Sequence, residues 1–138
     1  MNLYQFHSNP SKLIGYDVAF EQVPELAWDR YENNIEELKK REHLWKKIAY
    51  YSYLYACNVI KGRFLKGEAA IAKSAHYAYL YTYYIIKGRW TEGEAAIATS
   101  ACYSYNYALM IIEGRFLKGE ATVAKDAYYS NRYDNFIK

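Results

Sequence analysis

The sequence predicts an all-α fold. It reads as a short α-solenoid of about three 26-residue helix-turn-helix repeats, with a charged helical region before them and a truncated capping helix after. Three observations predict it. The stretches 49–74, 75–100 and 101–126 align without a gap, the first agreeing with the second at 16 of 26 positions and with the third at 17. Gly62, Gly88 and Gly114 recur where a helix of about 13 residues would end. Ser74, Ser100 and Asp126 recur where a helix would begin, with a side-chain oxygen for orphan N–H groups. The period is not that of tetratricopeptide or ankyrin arrays, which run at about 34 and 33 residues.

Residues 1–22 hold Asn9-Pro10 and Gly15 and read as irregular. Residues 23–48 read as a charged helical region and a degenerate repeat. Val23-Pro24-Glu25 suits a helix start, with Pro in the first turn. ELAWDRY is similar to a worn copy of the repeat's first helix, and NNIEELKKREHLWKKI carries the pairs Glu36–Lys40, Glu37–Arg41 and Glu42–Lys46, spaced to support an exposed helix.

From residue 49 each unit reads as two unequal helices. The first ends at Gly62, Gly88 or Gly114, placed at C′ where glycine enters the left-handed region cheaply. A connection follows (RFLK, RWTE, RFLK), then Gly67, Gly93 or Gly119 before Glu68, Glu94 or Glu120, an acid that suits a helix start. The second helix is barely two turns and must be held by packing. Alternating YSYLY and YAYLYTYY would suit strands by propensity. The caps, the glycines and a length of about 13 residues, long for a strand, decide for helix. Residues 127–138 begin a fourth copy, in which Asn131, Arg132, Asp134 and Asn135 replace apolar residues and supply the polar end an array needs.

Comparing the copies separates fixed positions from free ones. Ala49, Tyr53, Ala56 and Ile60 fall on one helical stripe and Tyr51, Tyr55 and Val59 on an adjoining one. The aromatic at 64, 90 and 116 reads as a plug under the connection. Positions 50, 54, 57, 58 and 61 vary, and they share roughly a quarter of the helix circumference. Repeated along the array, that arc makes a stripe of the kind solenoids use for binding. Its candidate residues are Tyr50, Leu54, Asn58, His76, Leu80, Tyr83, Tyr84, Asn106, Leu109 and Met110, beside Cys57, Cys102, Lys61, Lys87 and Glu113. The alternative is that the arc faces solvent or packs against the N-terminal region.

Composition narrows the function classes. Hydrophobic residues at 52% and charged residues at 24% are ordinary for a soluble globular chain. The 18 tyrosines each bring a large ring and a hydroxyl that needs a partner, so they suit a wet-edged core or a recognition surface. A net charge of +3 does not argue for nucleic acid. Cys57 and Cys102 make no CxxC pair and suit a reduced cytoplasmic setting. No signal pattern opens the chain and no run of 18 apolar residues occurs, so no membrane partner is expected. His7, His43 and His76 share no metal-ligand spacing, no phosphate loop is present, and no cofactor or enzymatic activity is expected. Arg63, Arg89 and Arg115 stand beside aromatics and, with Lys39, Lys40, Lys46 and Lys47, offer an alternative nucleic-acid surface. Each arginine has a glutamate five residues on, which favours a structural pair.

The run YAYLYTYYIIKGRW followed by GEAAIA resembles the tyrosine-rich tandem repeats of large tailed bacteriophages. Their pattern runs Asp-Pro-x-x-Ala-Tyr-x-Tyr-Ala, then Lys-Gly-Arg-[Phe/Trp]-Pro-x-[Gly/Ala]-Glu. The opening LYQFHSNPSKLIGYDVAF is similar to leaders of those proteins. This chain lacks the prolines after the cap and after the aromatic. The resemblance implies a phage origin and a host-cytoplasm setting, and it transfers no catalytic residue. The expectation is a non-enzymatic interaction scaffold that binds and modulates or inhibits a host protein. A nucleic-acid binder and a nucleotide or small-molecule sponge are the alternatives, and homo-oligomers by end-to-end stacking stay open.

Overall fold

A computed structural model describes residues 22–138, and all regular structure among them is helical. The irregular segment expected over 1–22, with His7, lies outside the described residues except for its last residue. The chain divides between Trp45 and Lys46 into two compact units.

The first unit holds α1 (Pro24–Tyr31), α2 (Ile35–Lys40) and α3 (Glu42–Trp45). Pro24 opens α1 as expected, and Asn34 caps α2 by accepting from Glu37 N–H. The charged stretch is not one helix. Arg41 leaves the helical region between α2 and α3, so α3 falls 26 residues before Glu68–Ile71 and copies a repeat's second helix. Trp28 and Trp45 meet edge to face at 4.9 Å, and Trp45 Nε1 donates to the Leu38 carbonyl at 2.8 Å. Glu37 pairs with Arg41 as the spacing predicts, while Glu36 pairs with Lys39 instead of Lys40.

The second unit repeats a long helix and a short one. The long helices are α4 (Ala49–Tyr55), α6 (Ala75–Tyr81) and α8 (Ala101–Tyr107), and each runs on into a wider π-type turn over Ala56–Ile60, Thr82–Ile86 and Ala108–Ile112. The short ones are α5 (Glu68–Ile71), α7 (Thr91–Ile97) and α9 (Glu120–Ala124), and α10 (Ala127–Ile137) closes the unit. Ser74, Ser100 and Asp126 accept from Tyr77, Tyr103 and Tyr129 N–H, as caps should.

The helix endings correct the glycine expectation. Lys61, Lys87 and Glu113 enter the left-handed region, with φ of 56°, 58° and 58°, and none of the described glycines does. The wider last turn is the reason. Lys87 N–H reaches back five residues to the Thr82 carbonyl at 2.7 Å, so the chain leaves the helix one residue early. A side chain there costs on the order of 1 kcal/mol. A Cβ at Gly88 would meet nothing within 4 Å, so space does not select glycine at that position. Gly67 is selected by space: a Cβ there would lie 2.5 Å from the Phe64 ring and 2.7 Å from Ser52 Cβ.

The core face keeps Tyr51, Tyr55 and Ala56 of the expected stripes and adds Ser52, which those stripes left out. Ser52, Tyr55 and Ala56 are buried, as are Ala78, Tyr81 and Thr82, and Ser104, Tyr107 and Ala108. The i, i+3, i+4 set runs through small residues that let the short helix and the plug approach. Ile60, placed on a core stripe, is 42% exposed because the π-type turn rotates it outward. The plugs Phe64, Trp90 and Phe116 are buried, as expected.

Candidate functional site

Each long helix has an inner and an outer side. On the inner side one hydrogen-bonded staple recurs at every junction. Arg63 Nε and Nη2 donate to the two oxygens of Glu68 at 2.7 and 2.8 Å. Tyr81, from the next repeat, donates its hydroxyl to Glu68 at 2.7 Å and accepts from Phe64 N–H at 2.8 Å. Arg89, Glu94, Tyr107 and Trp90 repeat this, and so do Arg115, Glu120, Tyr133 and Phe116. A planar guanidinium meets a carboxylate through two parallel bonds, which is a strong geometry.

Glu94 is the most enclosed of the three, with no exposed side-chain surface and a further bond from Lys118 Nζ at 3.0 Å. Burial pushes its carboxyl up, but bonds from Arg89, Tyr107 and Lys118 outweigh burial and hold it at about 2. Glu68 and Glu120 are held low as well. Burial opposes Arg63 and Tyr81 at Glu68, and Arg115 then Tyr133 lead at Glu120. Burial, then the bond to the carboxylate, pushes the Tyr81 and Tyr107 hydroxyls well above their ordinary range.

The outer side is an aromatic surface. Tyrosines of consecutive repeats pair at fixed spacing: Tyr53 with Tyr77 at 5.8 Å, Tyr79 with Tyr103 at 5.6 Å, Tyr105 with Tyr129 at 5.9 Å. Each such pair contributes roughly 0.5–1.5 kcal/mol beyond its buried area. The variable arc adds to this ladder. Tyr50 leans on Tyr77 at 5.5 Å, and His76 Nδ1 meets the Tyr103 hydroxyl one repeat later. Tyr83 and Tyr84 meet edge to face at 4.8 Å.

Of the ten candidates on the arc, Tyr50, Asn58, His76, Tyr83, Tyr84 and Met110 are exposed, and Leu54, Leu80, Asn106 and Leu109 are half-buried. Tyr50, Tyr83, Tyr84 and Met110 show 42%, 38%, 56% and 46% of their surface. Tyr83 and Met110 line one hollow of about 240 Å³ with Lys87 and Glu113.

The alternative basic set is divided between the two units. Arg63, Arg89 and Arg115 are committed to the staples, and Lys39 and Lys40 pair with Glu36 and Glu37 in the first unit. Lys46 and Lys47 border a hollow of about 540 Å³ with Lys73. Sequence reasoning missed Tyr128, exposed at the position-50 register of α10, and exposed Leu65 and Leu117 in the connections. It placed Tyr55 and its copies on a core stripe but missed their bonds to the preceding glutamate, although glutamate and tyrosine recur 13 residues apart in every copy.

Among the described residues no three His, Cys, Asp or Glu side chains form a metal-binding group, and no helix is long and apolar enough to cross a membrane. Comparison with protein-family models, curated proteins and solved structures finds no match.

Proposed function

We propose that the chain is a non-enzymatic interaction scaffold that holds a protein partner on the outer arc. One observation carries the reading. Tyr50, Tyr83, Tyr84 and Met110 are exposed at positions that change from repeat to repeat, above tyrosine pairs that do not. Aromatic and Met side chains are enriched at protein interfaces and supply their hot spots. The staples beneath hold the helices in register, so the arc is presented as one pre-ordered surface, which lowers the ordering cost of binding.

The resemblance to tailed-phage repeats supports a host protein as the partner, modulated or inhibited by occupation. The nucleic-acid reading draws less support, because its three arginines already fork onto glutamates. The test is capture from host lysate with the wild type and with Tyr83→Glu/Tyr84→Glu, circular dichroism confirming the fold of both. The reading expects a partner that the wild type retains and the variant loses. A partner held equally by both sinks it.

A further inference from the structure

Three lysines gather at one hollow of the second unit. Lys46 and Lys47 precede α4, Lys73 follows α5, and together they border a space of about 540 Å³. Among the described residues no carboxylate lines this hollow, and none pairs with any of the three lysines. Lys39, Lys40 and Lys118, by contrast, each hold an acid. Like charges brought together repel unless an anion is shared between them.

The scaffold does not require this charge. One repeat on, the positions of Lys46, Lys47 and Lys73 hold Ala72, Lys73 and Thr99, and two repeats on they hold Ala98, Thr99 and Lys125. Each later copy keeps one lysine where the first has three. The small floor is common to the copies, since Ala49 and Ala69 are matched by Ala75 and Ala95. The groove therefore belongs to the repeat, and its charge is particular to the first one.

The lining also selects the kind of anion. Among the described residues no aromatic ring borders the hollow, so nothing there grips a base. Alanine methyls offer neither donor nor acceptor. Ser74 Oγ accepts from Tyr77 N–H at 3.2 Å and keeps its own proton to donate. Three ammonium groups and one hydroxyl are thus donors around a space within the range of small-molecule sites, roughly 300–1,000 Å³. Lysine meets phosphate as a point charge with three donors.

We propose that this hollow binds the polyphosphate chain of a small ligand, a group with three or more negative charges that Lys46, Lys47 and Lys73 share. The outer arc contributes no residue to it, so the site stands or falls apart from the protein-partner reading.

The probe is inorganic tripolyphosphate, titrated calorimetrically into the full chain at low salt. Saturable one-to-one binding is expected, weakening as salt is raised. Lys47→Glu and Lys73→Glu should each weaken it at least about tenfold, because a repulsion replaces an attraction. Both side chains are exposed, and circular dichroism checks that the fold is kept. Lys125→Glu is the control. It reverses an exposed lysine at the register of Lys73, where Ala98 and Thr99 stand for Lys46 and Lys47, and should leave the affinity unchanged. ATP should bind about as tightly as tripolyphosphate, and orthophosphate far more weakly. Lack of saturation at about 1 mM overturns the proposal. So does a Lys125→Glu variant that loses as much as Lys73→Glu, because attraction to any basic surface would then suffice. A single-stranded oligonucleotide that binds more tightly than tripolyphosphate, and is lost with Lys47→Glu and Lys73→Glu, would overturn it in favour of a nucleic-acid backbone.

Discussion

Position 55 and its copies at 81, 107 and 133 hold tyrosine every time, whereas position 58 and its copies at 84, 110 and 136 hold Asn, Tyr, Met and Phe. The two positions lie one turn apart on the same helices, yet they answer to different constraints. Each of Tyr81, Tyr107 and Tyr133 satisfies a carboxylate and a backbone N–H of the preceding repeat at once, and no other side chain offers a donor and an acceptor at that reach. At position 58 the copies Tyr84 and Met110 are exposed. The staple side ties each repeat to the next, and the exposed side is the one we propose specifies a partner.

The sharpest way to break that contrast is to remove the most enclosed carboxylate. Glu94→Gln should cost on the order of 3 kcal/mol at pH 7, read by urea unfolding. The folded carboxyl sits at about 2, below its ordinary 4.5. Its stabilisation is therefore fully present above pH 4.5 and drains away as pH falls toward 2. The gap between wild type and variant should close over that window, and a gap independent of pH would contradict the assignment.

Gly67→Ala should follow at about 1–3 kcal/mol, because the new Cβ enters the Phe64 ring and Ser52. Its thermal midpoint checks this, and Gly88→Ala, with open space around it, is the control that should lose much less. Lys87→Gly should stabilise by up to about 1 kcal/mol, since glycine relieves the left-handed backbone. A drop in its thermal midpoint would show that the Lys87 side chain makes a contact worth more than the strain. Smallest of all, Tyr84→Ala should move stability by no more than about 0.5 kcal/mol, as for other exposed positions.

Much of the scaffold is legible in the sequence for physical reasons that act locally. Ser74, Ser100 and Asp126 announce helix starts because the cap bond spans three residues. The Arg–Glu pairs are legible because the two partners stand only five residues apart in every copy. The bonds of the junction tyrosines are not, because their partners lie 13 and 17 residues back and only the fold brings them together. The π-type turns leave no composition signal, so the helix ends fall one residue from where glycine suggests. The variable arc is legible from comparison of the copies. Which of its members are open is not, since Leu80 and Leu109 are half-buried while Tyr84 and Met110 stand clear.

Folding rests on one face of these helices, and we propose that recognition rests on a neighbouring exposed one. The direct measurement is titration calorimetry of the captured partner against Tyr84→Ala and Tyr107→Phe, with a thermal midpoint for each variant. Tyr84→Ala should weaken binding at least about tenfold with an almost unchanged midpoint. Tyr107→Phe leaves the buried Trp90 N–H without its acceptor, so it should cost about 1–3 kcal/mol of stability while the folded fraction binds as before. If Tyr84→Ala lowers the midpoint and leaves the affinity intact, the division between the two sides is wrong.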